Sequence, residues 1–292
     1  MIILRTFLPW WHIISAMIII LVDVCDSAGM SSDSCDWYGS GLLQEEREVQ
    51  SVYLRCGQGR IQWQYPRGAL RLVLRHGFSG RDFFGCLRTD AQFSGANIYV
   101  EGHRKLHSLF TKTDGKHPEL FRCFTSYLGK VALYVEAEQT SKGLHKEVAS
   151  FSYDLQLASP HSLRDEFQEC RPCTEDELLQ KFCTSDFAIQ GTVDTLRHQN
   201  DLQRSELEVR ITRIYRKNDT SQLMPKSNQL EPNHTILYRP LKCGTQAATG
   251  SFLFLGRWIL GIPVIQCAPR ITEWQKVRRK AILHGKHQCQ LD

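Results

Sequence analysis

Cys170-Arg171-Pro172-Cys173 is the pattern in this chain that most suggests chemistry, since two thiols at that spacing can exchange disulfides or hold a metal. Cys183 follows closely, while Cys243, Cys267 and Cys289 come at wide intervals. A redox pair of this kind ordinarily sits beside a thioredoxin-like parallel unit, and no such pattern surrounds it. Structural zinc needs reduced thiolates and a second close pair, which is missing. Structural disulfides remain. Three crowded cysteines cannot pair among themselves without leaving one over, so they read as one edge stapled to distant parts of a domain.

Other chemistry finds little support. The 11 histidines are scattered, with no HExxH pair, and no G-x-S-x-G elbow presents a serine. Asp165 with Glu166, and Glu175 to Glu177, read as acids at helix starts rather than as a catalytic pair. The expectation is a binding protein that is not an enzyme and needs no cofactor. Lys276, Arg278, Arg279, Lys280 and Lys286 form the main basic cluster. It reads first as a solvated helix face, with salt-sensitive binding of heparan sulfate as its functional alternative. Two sequons, Asn218-Asp219-Thr220 and Asn233-His234-Thr235, lie in a polar, turn-rich stretch suited to glycans.

The start of the chain sets the compartment. Arg5 is the only charge before Asp23, an apolar run fills residues 13–22, and Ser27 and Ala28 supply small residues for cleavage. Residues 1–27 are therefore read as a signal peptide and the product as secreted and extracellular. Cleavage removes Cys25 and leaves 10 of the 11 cysteines, an even set that fits disulfides and leaves no thiol for a disulfide-linked oligomer. It also raises the net charge from +5 to +6, because residues 1–27 hold one Arg and two Asp. That excess suits acidic glycans or proteins and does not indicate nucleic acid. The later apolar stretch 251–267 carries Arg257 and is too short to span, so no membrane insertion is expected after signal removal.

Two halves must position these residues. The first, residues 28–157, reads from Val49 onward as short strands broken by turn residues: Ile61, Trp63 and Tyr65 alternate with polar residues, as do Leu70, Leu72 and Leu74. Further strands are expected at 96–101, 105–110, 120–124, 131–136 and 151–157, the last with Phe151, Tyr153, Leu155 and Leu157 on one face. The fold expected here is an antiparallel β-sandwich. Its four cysteines pair most simply in sequence, Cys35 with Cys56 and Cys86 with Cys123, though three pairings exist. Residues 158–169 lack alternation and are read as a linker. From 170 to 292 the pattern opens with a helix capped by Thr174 and Glu177, its face made by Leu178, Leu179 and Phe182. Strands follow at 187–193, 207–215, 235–241, 252–255 and 263–266, then a helix at 272–283 with Trp274, Val277 and Ala281 on one stripe. Together they suit a small closed barrel of the oligonucleotide/oligosaccharide-binding type with flanking helices, in a chain that is mainly β.

The Cys-x2-Cys-x9-Cys spacing followed by three spread cysteines resembles the netrin-like module, and the four-cysteine half looks like a CUB domain with Trp63 in an early core strand. The netrin-like resemblance implies pairing of Cys170 with Cys243, Cys173 with Cys267 and Cys183 with Cys289. Longer blocks sharpen it: CDWYGSGL from Cys35, WQYPRGAL from Trp63, SGANIYVE from Ser94, CRPCTEDELLQKFCTSDF from Cys170 and CAPR from Cys267 resemble the meteorin family. That resemblance implies a secreted neurotrophic or cytokine-like factor, acting in glial differentiation, axon-network formation or hormone-like signalling through a cell-surface receptor protein. The alternative is an extracellular matrix or protease-modulating accessory protein. Metalloproteinase inhibitors of the netrin-like type grip zinc with an N-terminal cysteine, whereas Cys170 lies behind a whole domain. Many CUB domains bind calcium through acids after the third cysteine, whereas only Asp90 is offered here.

Overall fold

The computed structural model describes residues 35–111, 114, 119–138, 146–158, 170–217, 233–286 and 288–291. The expected signal segment 1–27, nearly all of the expected linker and the Asn218 sequon lie outside the described residues.

Alternation at the strand period builds the first half. Its strands are β1 (Trp37–Ser40), β2 (Val49–Leu54), β3 (Gln58–Gln64), β4 (Ala69–Leu74), β5 (Phe83–Thr89), β6 (Ala96–Glu101), β7 (Leu106–Phe110), β8 (Phe121–Thr125), β9 (Val131–Ala137) and β10 (Val148–Leu157). One sheet has the order β1-β3-β10-β5-β8 and the other β2-β4-β9-β6-β7. Ile61, Trp63, Leu70, Leu72, Leu74, Leu133, Val135 and Phe151 point into the space between them and are fully buried. The two sheets thus share one core, and the sandwich is mostly antiparallel. One edge pair in each sheet departs from that rule: β1 runs parallel to β3, and β2 parallel to β4. Successive strands there cross from sheet to sheet and reverse direction each time, so the returning strand arrives parallel.

Several local expectations shift. Tyr65 falls outside β3 in a left-handed conformation (φ 48°), because Pro66 lacks the N–H that would continue a ladder. Leu157 ends β10 exposed, while Phe151, Tyr153 and Leu155 are buried. Strands β1, β2 and β5 were not among the segments named from the sequence. In β5 the outward Phe84 and Cys86 are apolar like the inward Phe83 and Leu87, which hides the alternation. Gly59 is needed where β1 closes on β3, since a Cβ there would lie 1.9 Å from the Cys35 carbonyl oxygen. Disulfides Cys35–Cys56 and Cys86–Cys123 staple this half, the second joining residues in direct register across β5 and β8.

The second half runs α1 (Glu175–Thr184), β11 (Phe187–Gln199), β12 (Arg204–Lys217), β13 (His234–Pro240), a 3-10 turn (Leu241–Cys243), β14 (Ser251–Ile259), β15 (Ile262–Cys267) and α2 (Ile271–Leu283). The five strands close into a barrel in the order β11-β12-β13-β15-β14. Phe187, Ile189, Leu207, Val209, Leu237, Phe254 and Ile265 fill its interior. Gly256 permits the tight β14–β15 wall, because a Cβ there would sit 2.3 Å from the Val264 carbonyl oxygen and 2.2 Å from the Phe187 ring of β11. The helices share a second core against the barrel wall, in which Trp274 stacks on Phe182 at 4.5 Å. Trp274, Val277 and Ala281 form the buried stripe of α2.

Residues from 34 onward cluster as one compact unit, because two hairpin tips of the barrel press on the sandwich. Leu202, between β11 and β12, joins the sandwich core. Beside it the buried Arg204 donates to Glu119 at 2.5 Å and lies 3.9 Å from the Tyr238 ring. At the β14–β15 tip, the Leu260 carbonyl accepts from Arg88 at 2.5 Å, and its backbone N–H donates to the Asp154 carboxylate. Burial at this contact pushes the Asp154 carboxyl above its ordinary range despite those hydrogen bonds. Arg88 and Asp154 lie on the outward side of β5 and β10, so the barrel tip rests on that part of the first sheet's outer face, while the part bearing Arg60, Gln62 and Gln64 stays open. We expect the wild-type protein to unfold in one calorimetric transition. Leu202→Asp places a charge in the shared core and should split that transition in two.

Candidate interaction surfaces

The Cys170–Cys173 segment, the most reactive pattern in the sequence, is committed to structure. Cys170 bonds Cys243, Cys173 bonds Cys267 and Cys183 bonds Cys289. Between the first two, Arg171 forks onto the Glu177 carboxylate at 2.8 and 2.5 Å. Glu177 also accepts from the Thr174 backbone at 2.9 Å, and the Thr174 hydroxyl accepts from the Glu177 backbone at 3.4 Å. This capping box starts α1. The Arg171 guanidinium, aided by the capping hydrogen bonds, holds the Glu177 carboxyl down at about 2. A depressed carboxylate stabilises the fold above its unfolded pKa and loses that contribution as pH falls through the folded value. The stability difference between wild type and Glu177→Gln should therefore be full at neutral pH and fade between about 4.5 and about 2, as read by denaturant unfolding across that range.

The basic cluster is divided between two settings. Lys276 and Arg279 face solvent on α2, and Arg278 is half-buried. Lys280 instead reaches across to α1 and pairs with Glu175 at 2.6 Å. Lys286 lines a small cleft with Asp176, Leu179, Gln180 and Gln288. Two of the five cations thus stand against the acidic first turn of α1, leaving a thinner solvent-facing patch than the sequence suggested.

The remaining candidates are placed as follows. Asn233 turns the chain into β13 at φ 75°, beside His234, which sits 2.9 Å from Asp194. Asp90 accepts from Arg60 and from the Ser150 hydroxyl at 2.5 Å. Among the described residues no group of three or more His, Cys, Asp or Glu could hold a metal ion.

A different surface emerges from strand pairing. With the barrel on the first sheet, the outer face of the second carries one row in register: Ser51, Arg71, Tyr134, Tyr99 and Ser108, from β2 through β4, β9, β6 and β7. Arg71 forks onto Glu101 with both hydrogen bonds at 2.7 Å. Tyr53 stands beside this row, 60% exposed, with Val49 also exposed. Burial and the nearby Glu136 and Glu101 charges raise the Tyr134 phenol, so it stays protonated as a hydrogen-bond donor. Sequence alternation set Arg71 between the inward Leu70 and Leu72, and it gave the segments of Tyr99 and Tyr134 only as strands. It did not reveal that β4, β9 and β6 are neighbours, and the row exists only once that order is known.

These features define a disulfide-stapled sandwich–barrel protein with an open tyrosine- and arginine-bearing face. The first half matches the family model described as Meteorin-like protein N-terminal domain over residues 37–164, and the second matches Meteorin, C-terminal domain, over residues 172–281. The chain is 36% identical over 270 residues to Meteorin-like protein of Homo sapiens, covering 90% of this chain and 85% of that protein. It is 32% identical over 288 residues to Meteorin-like protein of Xenopus laevis, covering 96% and 97% respectively. To Meteorin of Mus musculus it is 32% identical over 274 residues, covering 90% and 92%. The chain belongs to the meteorin family.

Proposed function

We propose that this protein is a secreted signalling factor that acts by docking on a cell-surface receptor protein. Membership of the meteorin family and five intramolecular disulfides support an extracellular ligand. The observation that carries the receptor reading is the in-register Arg71–Tyr134–Tyr99 row on a sheet face the barrel leaves open. Tyrosine supplies large, amphipathic contact area at low entropic cost, and Tyr and Arg are enriched where binding energy concentrates. The fork between Arg71 and Glu101 holds both side chains in place before a partner arrives, which lowers the ordering cost of binding. Neurotrophic and hormone-like responses, including glial differentiation and axon-network formation, are the readouts this assignment points to.

Binding of the labelled mature protein to responsive cells tests the surface. The double variant Tyr53→Ala, Tyr134→Ala should weaken cell binding by about tenfold or more while leaving thermal unfolding nearly unchanged. Unaltered affinity would remove this face from the function. Enhanced procollagen cleavage in place of cell binding would favour the accessory-protein reading. Lys276 and Arg279 are assigned a weaker contact to heparan sulfate. Charge reversal at both should move elution from heparin to lower salt, and an unchanged elution position would withdraw that contact.

A further inference from the structure

One end of the sandwich exposes three large apolar side chains. Phe78 is 80% exposed, Tyr127 76% and Leu128 70%. They belong to two connections, residues 75–82 between β4 and β5 and residues 126–130 between β8 and β9. Both leave the same end of the second sheet, where Leu74 pairs with Val131. The connections touch, since a Cβ on Gly129 would lie 2.3 Å from the Gly80 carbonyl oxygen.

The tip is braced from within. Asp82 accepts from the Gly129 backbone at 2.7 Å and from the Ser126 hydroxyl at 3.0 Å. The same hydroxyl accepts from the Phe83 backbone at 2.7 Å. Leu128 and Gly129 both hold positive φ, at 54° and 68°. A two-residue hairpin turn of that shape favours Asn-Gly, and a leucine in the left-handed region is strained. Here the strained leucine is also largely exposed, so neither backbone preference nor packing accounts for it. Strain held at an exposed apolar residue is a pointer to function.

The charge around the tip has one sign. Arg55 lies 4.7 Å from the Phe78 ring, and Arg75, Arg81 and Lys130 are exposed on the two connections or their ends. The one acid among residues 75–82 and 126–130 is Asp82, and its Oδ1 is turned inward to brace the hairpin.

We propose that this tip is a peripheral anchor for an anionic phospholipid surface. Phe78, Tyr127 and Leu128 enter the headgroup boundary, and Arg55, Arg75, Arg81 and Lys130 face the phosphates. The favoured occupant is a lipid surface rather than a protein because the three apolar groups stand out from turns and a cationic collar surrounds them. Such an arrangement matches an apolar layer beneath a negative surface. No helix among the described residues is long and apolar enough to cross a membrane, so the contact adds no span.

Co-sedimentation of the mature protein with vesicles tests the anchor without any receptor present, so its outcome is separate from that of the tyrosine face. Vesicles of phosphatidylcholine with a third of phosphatidylserine should retain the protein, and pure phosphatidylcholine should not. Added salt should weaken retention. The variant Phe78→Ser, Tyr127→Ser, Leu128→Asn should lose about tenfold or more in partitioning, and Arg75→Gln with Lys130→Gln should lose several-fold. Asn suits the left-handed position, so the tip variant should fold at least as stably at that turn, as circular dichroism and thermal melting would show. Equal partitioning of wild type and tip variant, or none to anionic vesicles, would overturn the proposal. Loss of cell binding by the tip variant with no vesicle binding by wild type would make the tip a protein contact instead.

Discussion

The grip of the first sheet on Leu260 is the contact from which the rest of the surface follows. Arg88 holds its carbonyl and Asp154 its N–H, so both polar groups of one hairpin tip are satisfied by the sandwich. That satisfaction lets the half-buried Leu260 dock on the sheet without leaving an unpaired backbone group at the contact. With Leu202 and Arg204 at the neighbouring tip, it decides which sheet the barrel touches. The opposite sheet keeps the outer face that carries the Arg71–Tyr134–Tyr99 row.

The disulfides do not create this arrangement. All five lie within one half or the other, and none crosses the contact. In the chain-entropy view, the three in the second half close separations of 73, 94 and 106 residues and remove about 4–5 kcal/mol each from the unfolded side. They tie the segment before α1 to the turn at Cys243 and to β15, and α1 to the segment after α2, without fixing where the barrel sits. Its position rests on the Leu202 packing, the buried Arg204 and the hydrogen bonds at Leu260. A covalent frame within each half and a non-covalent dock between them have different sensitivities, one to reductant and the other to side-chain chemistry.

Much of the fold was legible because local periodicity and tertiary packing agree. Leu70, Leu72 and Leu74 face inward as their spacing requires, and the Thr174–Glu177 box starts its helix where the sequence places it. Sequence reasoning failed where outward positions are themselves apolar. Phe84 and Cys86 alternate with the inward Phe83, Gly85 and Leu87, and Cys86 is spent on the bond to Cys123, so β5 shows no polar face in the sequence. The tyrosine row failed differently. Its members were expected to lie in strands, but strand order is a long-range property that no spacing within a strand encodes. The exposed tip was the least legible, because Phe78, Tyr127 and Leu128 look like core residues until the turns that expel them are known.

The β4–β9 ladder joins the two surfaces mechanically. Leu74 pairs with Val131 at the end that bears the apolar tip, and Arg71 pairs with Tyr134 three residues further along. At strand rise that is about 10 Å, within one rigid ladder. A tip held at a lipid surface would therefore keep the tyrosine row a short, fixed distance from that surface. Binding a membrane protein from such a position replaces a search through solution with a search in a layer, which raises effective concentration without any new receptor contact. Rigidity is what makes the coupling work. The Asp82–Ser126 brace stiffens the tip, the Arg71–Glu101 fork stiffens the row, and the central strands between them are packed on the sandwich core. The strain at Leu128 then fits a single scheme, in which one turn is made locally unfavourable so that an apolar side chain stands outside the protein.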